Sequence, residues 1–261
     1  DIVYANTFGA NRYKLKNSGY TVAEVVSAGI AIAKKAASGK ALVALDIGPI
    51  GQLLEPSGTL TFEEAYEIHK ETILAGADAD IIIIETMTDL YEVKAALLAA
   101  KENSDKPVLV TMTYEANMRT FTGVSPECAT AVLEGLGADA VGVNCSLGPE
   151  ELLPIIEKIC ANTTLPVIAK PNAGLPDPVT NKFNVTPEQF AQSAVKLAEL
   201  GVKIFGGCCG TTPQHISALV NALEDVEYVQ QEIERKPVVC SAVKCVEINQ
   251  PRVIGERINP T

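Results

Sequence analysis

The sequence predicts an α/β protein built as a (β/α)8 TIM barrel. Short apolar runs alternate with amphipathic stretches, and seven such βα units recur along the chain. No long antiparallel hairpin signal separates them, so the strands are expected to be parallel. No strand runs into a G-x-G-x-x-G turn, which favours a closed barrel over an open dinucleotide-binding sheet.

The first apolar run, residues 2–4, leads into Asn6-Thr7-Phe8-Gly9-Ala10-Asn11. Residues 22–35 carry apolar side chains at helical spacing, and 42–47 read as a strand ending in Gly48-Pro49. A helix is expected over 62–75. Four isoleucines at 81–84 suit a strand buried on both faces, ended by Glu85-Thr86. Strong helix formers fill 89–101, with a strand at 108–113 and a helix at 126–136. Residues 140–143 form a strand ending in Asn144-Cys145-Ser146, followed by a helix at 149–160. The strand at 167–169 runs into Lys170-Pro171-Asn172-Ala173-Gly174. Thr186-Pro187 opens a helix reaching Leu200, and 202–205 is the last clear strand. Thr212 and Pro213 then start a helix reaching Leu223 as N-cap and first-turn residues.

After that helix the texture changes. Residues 1–224 are expected to form the barrel and 225–251, charged and irregular, a linker. Residues 252–261 are either an eighth strand or the first strand of another domain, and the long separation favours the second. The chain begins with Asp1 on an apolar run and looks like an excised piece.

The 261 residues carry a net charge of −11, which argues against nucleic acid or an anionic membrane as partner. No run approaches the roughly 18 apolar residues of a membrane span. Seven cysteines, an odd number without disulfide-like spacing and without a visible signal peptide, suit a reducing cytoplasm.

In a barrel, residues at the C-terminal strand ends share one pocket. Read in order they are Asn6 and Thr7, Asp46, Glu85, Thr113 and Tyr114, Asn144 and Cys145, Lys170 and Asn172, then Cys208 and Cys209. Adjacent cysteines rarely pair with each other, but flanking glycines let Cys208 and Cys209 converge on one metal. The competing reading makes them small residues of a phosphate-binding turn. Cys145 is the other cysteine at a strand end and favours the metal. Three thiolates suit a zinc with one open position, and its softness admits a substrate thiol, held as an electron-rich thiolate. That chemistry points to alkyl transfer onto sulfur. His69 and His215 fall in helices. Glu85 ends an apolar strand, so it needs a cationic partner: a substrate ammonium, or a salt bridge to Lys170 or Arg119. Asp46 faces the pocket or shapes the turn before Gly48.

The motifs Gly206-Gly207-Cys208-Cys209-Gly210-Thr211, Gly142-Val143-Asn144-Cys145 and Asn6-Thr7-Phe8-Gly9-Ala10-Asn11 resemble the homocysteine S-methyltransferase family over about residues 1–224. The resemblance implies a zinc barrel that methylates homocysteine to methionine, with Cys145, Cys208 and Cys209 on zinc. It implies that Glu85 holds the substrate amino group, and that Asn172 offers an oxygen to zinc when no substrate is present. Asn6, Thr7, Asp46 and Asn144 are expected to help bind homocysteine. The family opens with an Asp-Gly-Ala-Met-Gly-Thr type of strand end that does not occur here, so the first barrel strand is expected to be missing. Val253-Ile254-Gly255-Glu256-Arg257-Ile258-Asn259-Pro260-Thr261 resembles the opening strand of the methyltetrahydrofolate (pterin)-binding barrel of cobalamin-dependent methionine synthases. This implies methylcobalamin as donor, held with methyltetrahydrofolate by other domains of one longer polypeptide. Donor alternatives within the family are S-methylmethionine and betaine. Rival readings are a phosphate-binding barrel lyase or isomerase using Lys170, and a non-catalytic zinc-stabilised module.

Overall fold

The computed structural model describes residues 1–228, 233, 237–251 and 253. Seven strands form one parallel sheet: β1 (Ile2–Tyr4), β2 (Leu42–Ile47), β3 (Ile81–Met87), β4 (Val108–Met112), β5 (Ala140–Asn144), β6 (Val167–Lys170) and β7 (Val202–Phe205). Each pairs with its neighbours in sequence, from β1 through to β7. Seven helices alternate with them: α1 (Val22–Ala37), α2 (Phe62–Ala75), α3 (Leu90–Asn103), α4 (Pro126–Gly135), α5 (Pro149–Cys160), α6 (Pro187–Glu199) and α7 (Pro213–Leu223). This is the expected barrel topology with seven strands. Among the described residues β1 and β7 do not pair, so the barrel has a seam between them.

Local sequence sets the boundaries. Thr21, Thr61 and Thr186 each cap a helix, accepting from the backbone N–H three residues on while Glu24, Glu64 or Gln189 reaches back. At α7 the partner is a histidine: the Thr212 backbone N–H donates to His215 Nδ1, and His215 Nε2 lies 3.0 Å from the Val185 carbonyl. His69 is buried in α2 with Nε2 3.7 Å from Glu92 of α3. Both histidines therefore serve helix packing.

Two apolar layers follow from the period-two alternation of strands. One side, including Ile82, Ile84, Val110, Val141 and Val143, meets the helices. The other, Ala44, Ile81, Ile83, Leu109, Ala140 and Ile168 with Ile2 and Ile204 against them, fills the barrel interior. Ile83 is fully buried, and truncation to Ala would cost about 2–5 kcal/mol.

Strand β3 runs three residues beyond the isoleucines, so Glu85 lies within it. Its pairing with β4 shifts register between Ile84 and Met87, where Thr86 takes φ 62°. The expected linker, 225–251, contains an antiparallel hairpin, β8 (Val238–Cys240) and β9 (Cys245–Glu247), that contacts α4. Of the segment 252–261, expected to open a further domain, all but Val253 lies outside the described residues. Among the described residues no helix is long and apolar enough to cross a membrane.

Candidate metal centre

The inward alternation turns polar at one height. Above the apolar layer stand Tyr4, Asp46, Glu85, Thr111, Asn144 and Lys170, each two positions past an inward small or apolar residue. Lys170 is buried and forms an ion pair with Glu85, while its Nζ donates to the Tyr4 hydroxyl at 2.8 Å. Burial alone would lower the Lys170 pKa, but Tyr4 and Glu85 outweigh it and hold the ammonium charged. A Schiff-base lysine needs the neutral amine, so this environment disfavours the lyase reading. Arg119 lies elsewhere, with its guanidinium 3.4 Å from the Gly123 and Val243 carbonyls. The salt-bridge alternative for Glu85 is thus the pairing present, and its second oxygen has no hydrogen-bond partner among the described residues.

Asp46 is buried, and its Oδ1 has no hydrogen-bond partner among the described residues. Burial, helped by the Glu85 charge and opposed by Lys170, raises its pKa to about 8. Thr7 is also buried, and its hydroxyl donates to the Asp46 carbonyl while accepting from the Asp46 N–H, at 2.9 and 3.0 Å. Its polar atom thereby clamps the ends of β1 and β2. Asn6 is exposed at the same edge.

The three expected thiols come together. Cys145 follows β5 with φ 63°, and Ser146 after it has φ 64°, two consecutive left-handed residues without glycine's freedom. Cys208 and Cys209 follow β7 in a turn whose Gly210 has φ 78° and whose Cβ, if it had one, would lie 2.2 Å from the Phe183 ring. The three sulfurs lie within 4.8 Å of one another, and Cys145 Sγ is 3.7 Å from Cys209 Sγ. A tetrahedral zinc with Zn–S bonds near 2.3 Å separates its sulfurs by about 3.8 Å, so this trio fits such an ion. The charge is shared unevenly. Cys145 is pulled down to about 6, first by the hydrogen bond from Cys208, whereas Cys208 is pushed up by that bond and then by burial. Cys209 is raised, chiefly by burial.

Supporting groups surround the sulfurs. Asn144 Oδ1 accepts from the Thr86 N–H at 2.8 Å and the Thr111 hydroxyl at 2.7 Å. Its Nδ2 donates to the Thr86 hydroxyl and points at Cys208 Sγ, 3.8 Å away. Asn172 Oδ1 accepts from the Cys209 N–H at 3.0 Å. Most of the turn's other amides are engaged: Gly206 donates to Ala169, Cys208 to Pro171 and Thr211 to Cys208. A phosphate cradle needs several such N–H groups free together, which disfavours that reading. Sequence reasoning missed Tyr4, Thr86 and Thr111 as members of this network. Tyr4 and Thr111 carry a usable signal, the inward position two past Ile2 and Leu109.

Fold and site together define a parallel (β/α) barrel with a three-thiol metal-type site at its mouth. The chain belongs to the homocysteine S-methyltransferase family, whose sequence model matches residues 1–223. It is 31% identical over 283 residues to a methionine synthase of Mycobacterium tuberculosis, covering 99% of this chain and 23% of that protein. For the methionine synthase of Mycobacterium leprae the identity is 32% over 288 residues, covering 99% and 24%. This chain thus spans about a quarter of these relatives' length. In fold it is similar to the metallated form of the homocysteine methyltransferase MmuM from Escherichia coli, with a TM-score of 0.71 at 20% identity, covering 84% of this chain and 78% of that one.

Proposed function

We propose that this chain is the homocysteine-binding zinc module of a cobalamin-dependent methionine synthase and methylates the homocysteine thiol to give methionine. The observation that carries the proposal is the convergence of Cys145, Cys208 and Cys209 from two strand ends at a sulfur spacing suited to tetrahedral thiolate coordination. Zinc bound there would lower the pKa of a substrate thiol and keep it a nucleophilic thiolate. Asn144 and Asn172 hold the ligand loops in place by the contacts above.

The homocysteine ammonium needs oxygen acceptors, and the mouth supplies them in the unpartnered Asp46 Oδ1 and the second oxygen of Glu85. Two carboxyl groups face one ammonium, that of Lys170, and Asp46, held protonated by burial, would give up its proton as a second ammonium binds. In the transfer, the sulfur lone pair forms the new S–CH3 bond as the donor–methyl bond breaks, its electron pair leaving with the donor. Residues 225–251 would connect the barrel to the pterin-binding domain opened by 252–261, with methylcobalamin and methyltetrahydrofolate bound by other domains. The methionine synthase relatives, about four times the length of this chain, support that arrangement. S-methylmethionine or betaine is the alternative donor. The reading includes a cytoplasmic setting, where thiols stay reduced; all seven cysteines are free here.

Zinc content followed by X-ray absorption at the zinc edge tests the proposal. One zinc per chain is expected, gaining a fourth sulfur when homocysteine is added. An unchanged sulfur count on saturation would remove the substrate assignment.

A further inference from the structure

The hairpin β8–β9 carries a second group of thiols, well separated in sequence from those of the metal centre. Cys240 and Cys245 face each other directly across its antiparallel register. Hydrogen bonds between opposed residues at Pro237/Ile248 and Ser241/Lys244 fix the alternation. Cys240/Cys245 therefore falls on a non-hydrogen-bonded pair, where Cα atoms lie about 4.5 Å apart and side chains approach closest. That separation is within the range a disulfide spans. Both residues are half-buried, and their sulfurs lie 3.0 Å apart. Cys128, buried in α4, interacts with Cys240 from beneath, and Cys245 packs against the main core. A cavity of about 410 Å3 opens beside the hairpin, lined by Glu134, Asn162, Thr163, Cys245 and Glu247 among others, and gives a small molecule access to Cys245. Two three-residue strands bury little apolar surface, with Val239 56% exposed, so such a hairpin is marginal without a further tie.

We propose that Cys240 and Cys245 are a reversible thiol–disulfide site, oxidised by a small-molecule disulfide that enters through this cavity. The Cys245 thiolate attacks one sulfur of the oxidant, forming a mixed disulfide and expelling one thiolate of the oxidant. The Cys240 thiolate then attacks the Cys245 sulfur and expels the second. Two protein thiols lose two electrons and two protons, and the oxidant leaves as two thiols. Burial pushes the Cys240 thiol up to about 12, which leaves little thiolate near neutral pH, so the second step rests on the register that makes it intramolecular.

The test treats the reduced full chain with glutathione disulfide, blocks remaining thiols and digests it with trypsin without reduction. Cleavage after Lys244 puts Cys240 and Cys245 on separate peptides. These are expected as one linked species that dithiothreitol separates, unchanged in a Cys128→Ser variant. In Cys240→Ser, Cys245 is expected to retain a glutathione adduct for want of a resolving thiol. Cys240 and Cys245 recovered as free thiols, as separate adducts, or with Cys240 linked to Cys128 instead, would overturn the proposal.

Discussion

Asn144 reaches from the end of β5 to Cys208 beyond β7, its amide nitrogen 3.8 Å from the sulfur, while its oxygen is held by Thr86 and Thr111. Its four interactions tie three strands to one thiol of the trio, and the side chain is fully buried. Asn144→Ala is expected to weaken zinc binding about 10- to 100-fold while leaving all three thiols reactive. The Thr86 N–H would lose its partner, costing about 1–3 kcal/mol of stability. Competitive chelator titration reads the first effect and chemical denaturation the second. Unchanged zinc affinity with lowered stability would reduce Asn144 to a strut.

Metal binding should release protons. In the metal-free trio Cys145 carries the thiolate, while Cys208 and Cys209 are shifted upward and stay protonated near neutral pH. Three thiolate ligands then require the loss of about two protons per zinc, rising to about three as pH falls below about 6 and Cys145 is protonated as well. Calorimetry in buffers of different ionisation enthalpy counts them. A release near zero would mean that these thiols are not the ligands.

Much of this was legible in the sequence because the signals were local. The bounds of β2, α2, α5 and α7 agree to the residue with apolar runs bracketed by caps and turn residues such as Thr61, Pro149 and Pro213. Cys145 and Cys208 lie sixty-odd residues apart, yet both sit at strand ends, and the barrel brings strand ends together. What escaped was of two kinds. The hairpin's three-residue strands are too short for alternation to stand out from a charged, irregular stretch. The choice of Lys170 over Arg119 for Glu85 depends on which loop lies above which strand, which no pattern of residue types encodes.

Because Glu85 is paired with Lys170, testing its role in substrate binding takes two variants. Glu85→Gln is expected to weaken homocysteine binding about 10- to 150-fold, since a hydrogen bond to an ammonium contributes about 1.5–3 kcal/mol. The same change leaves Lys170 buried opposite a neutral amide, and breaking a buried pair costs about 3–5 kcal/mol. Glu85→Gln with Lys170→Met removes both charges and should regain most of the stability but not the affinity. Zinc should remain bound in both variants. A thiol lacking the amino group should bind wild type and Glu85→Gln alike. Equal loss for both thiols would make Glu85 structural.

Asp46 predicts a pH dependence whose sign is set by its raised pKa, about 8 in the folded chain, with burial as the main cause and Glu85 adding to it. In the unfolded chain an aspartate titrates near 3.9. Between those two values the folded state keeps a proton that the unfolded state has lost, so stability falls as pH rises across the window. The contribution is fully present below about 4 and gone above about 8. Asp46→Asn carries no titrating proton there and retains the shape. Its stability relative to wild type should therefore climb as pH is raised from acid to mildly alkaline. The climb should be at least about 1.4 kcal/mol, which corresponds to a tenfold difference in proton affinity between the two states. Groups that do not interact with Asp46, the thiols included, cancel in the difference. Denaturant midpoints across the range give the two curves. Parallel curves would mean that Asp46 is ionised in the folded chain, with its Oδ1 hydrated or paired, and is not a neutral carboxyl awaiting a cationic substrate.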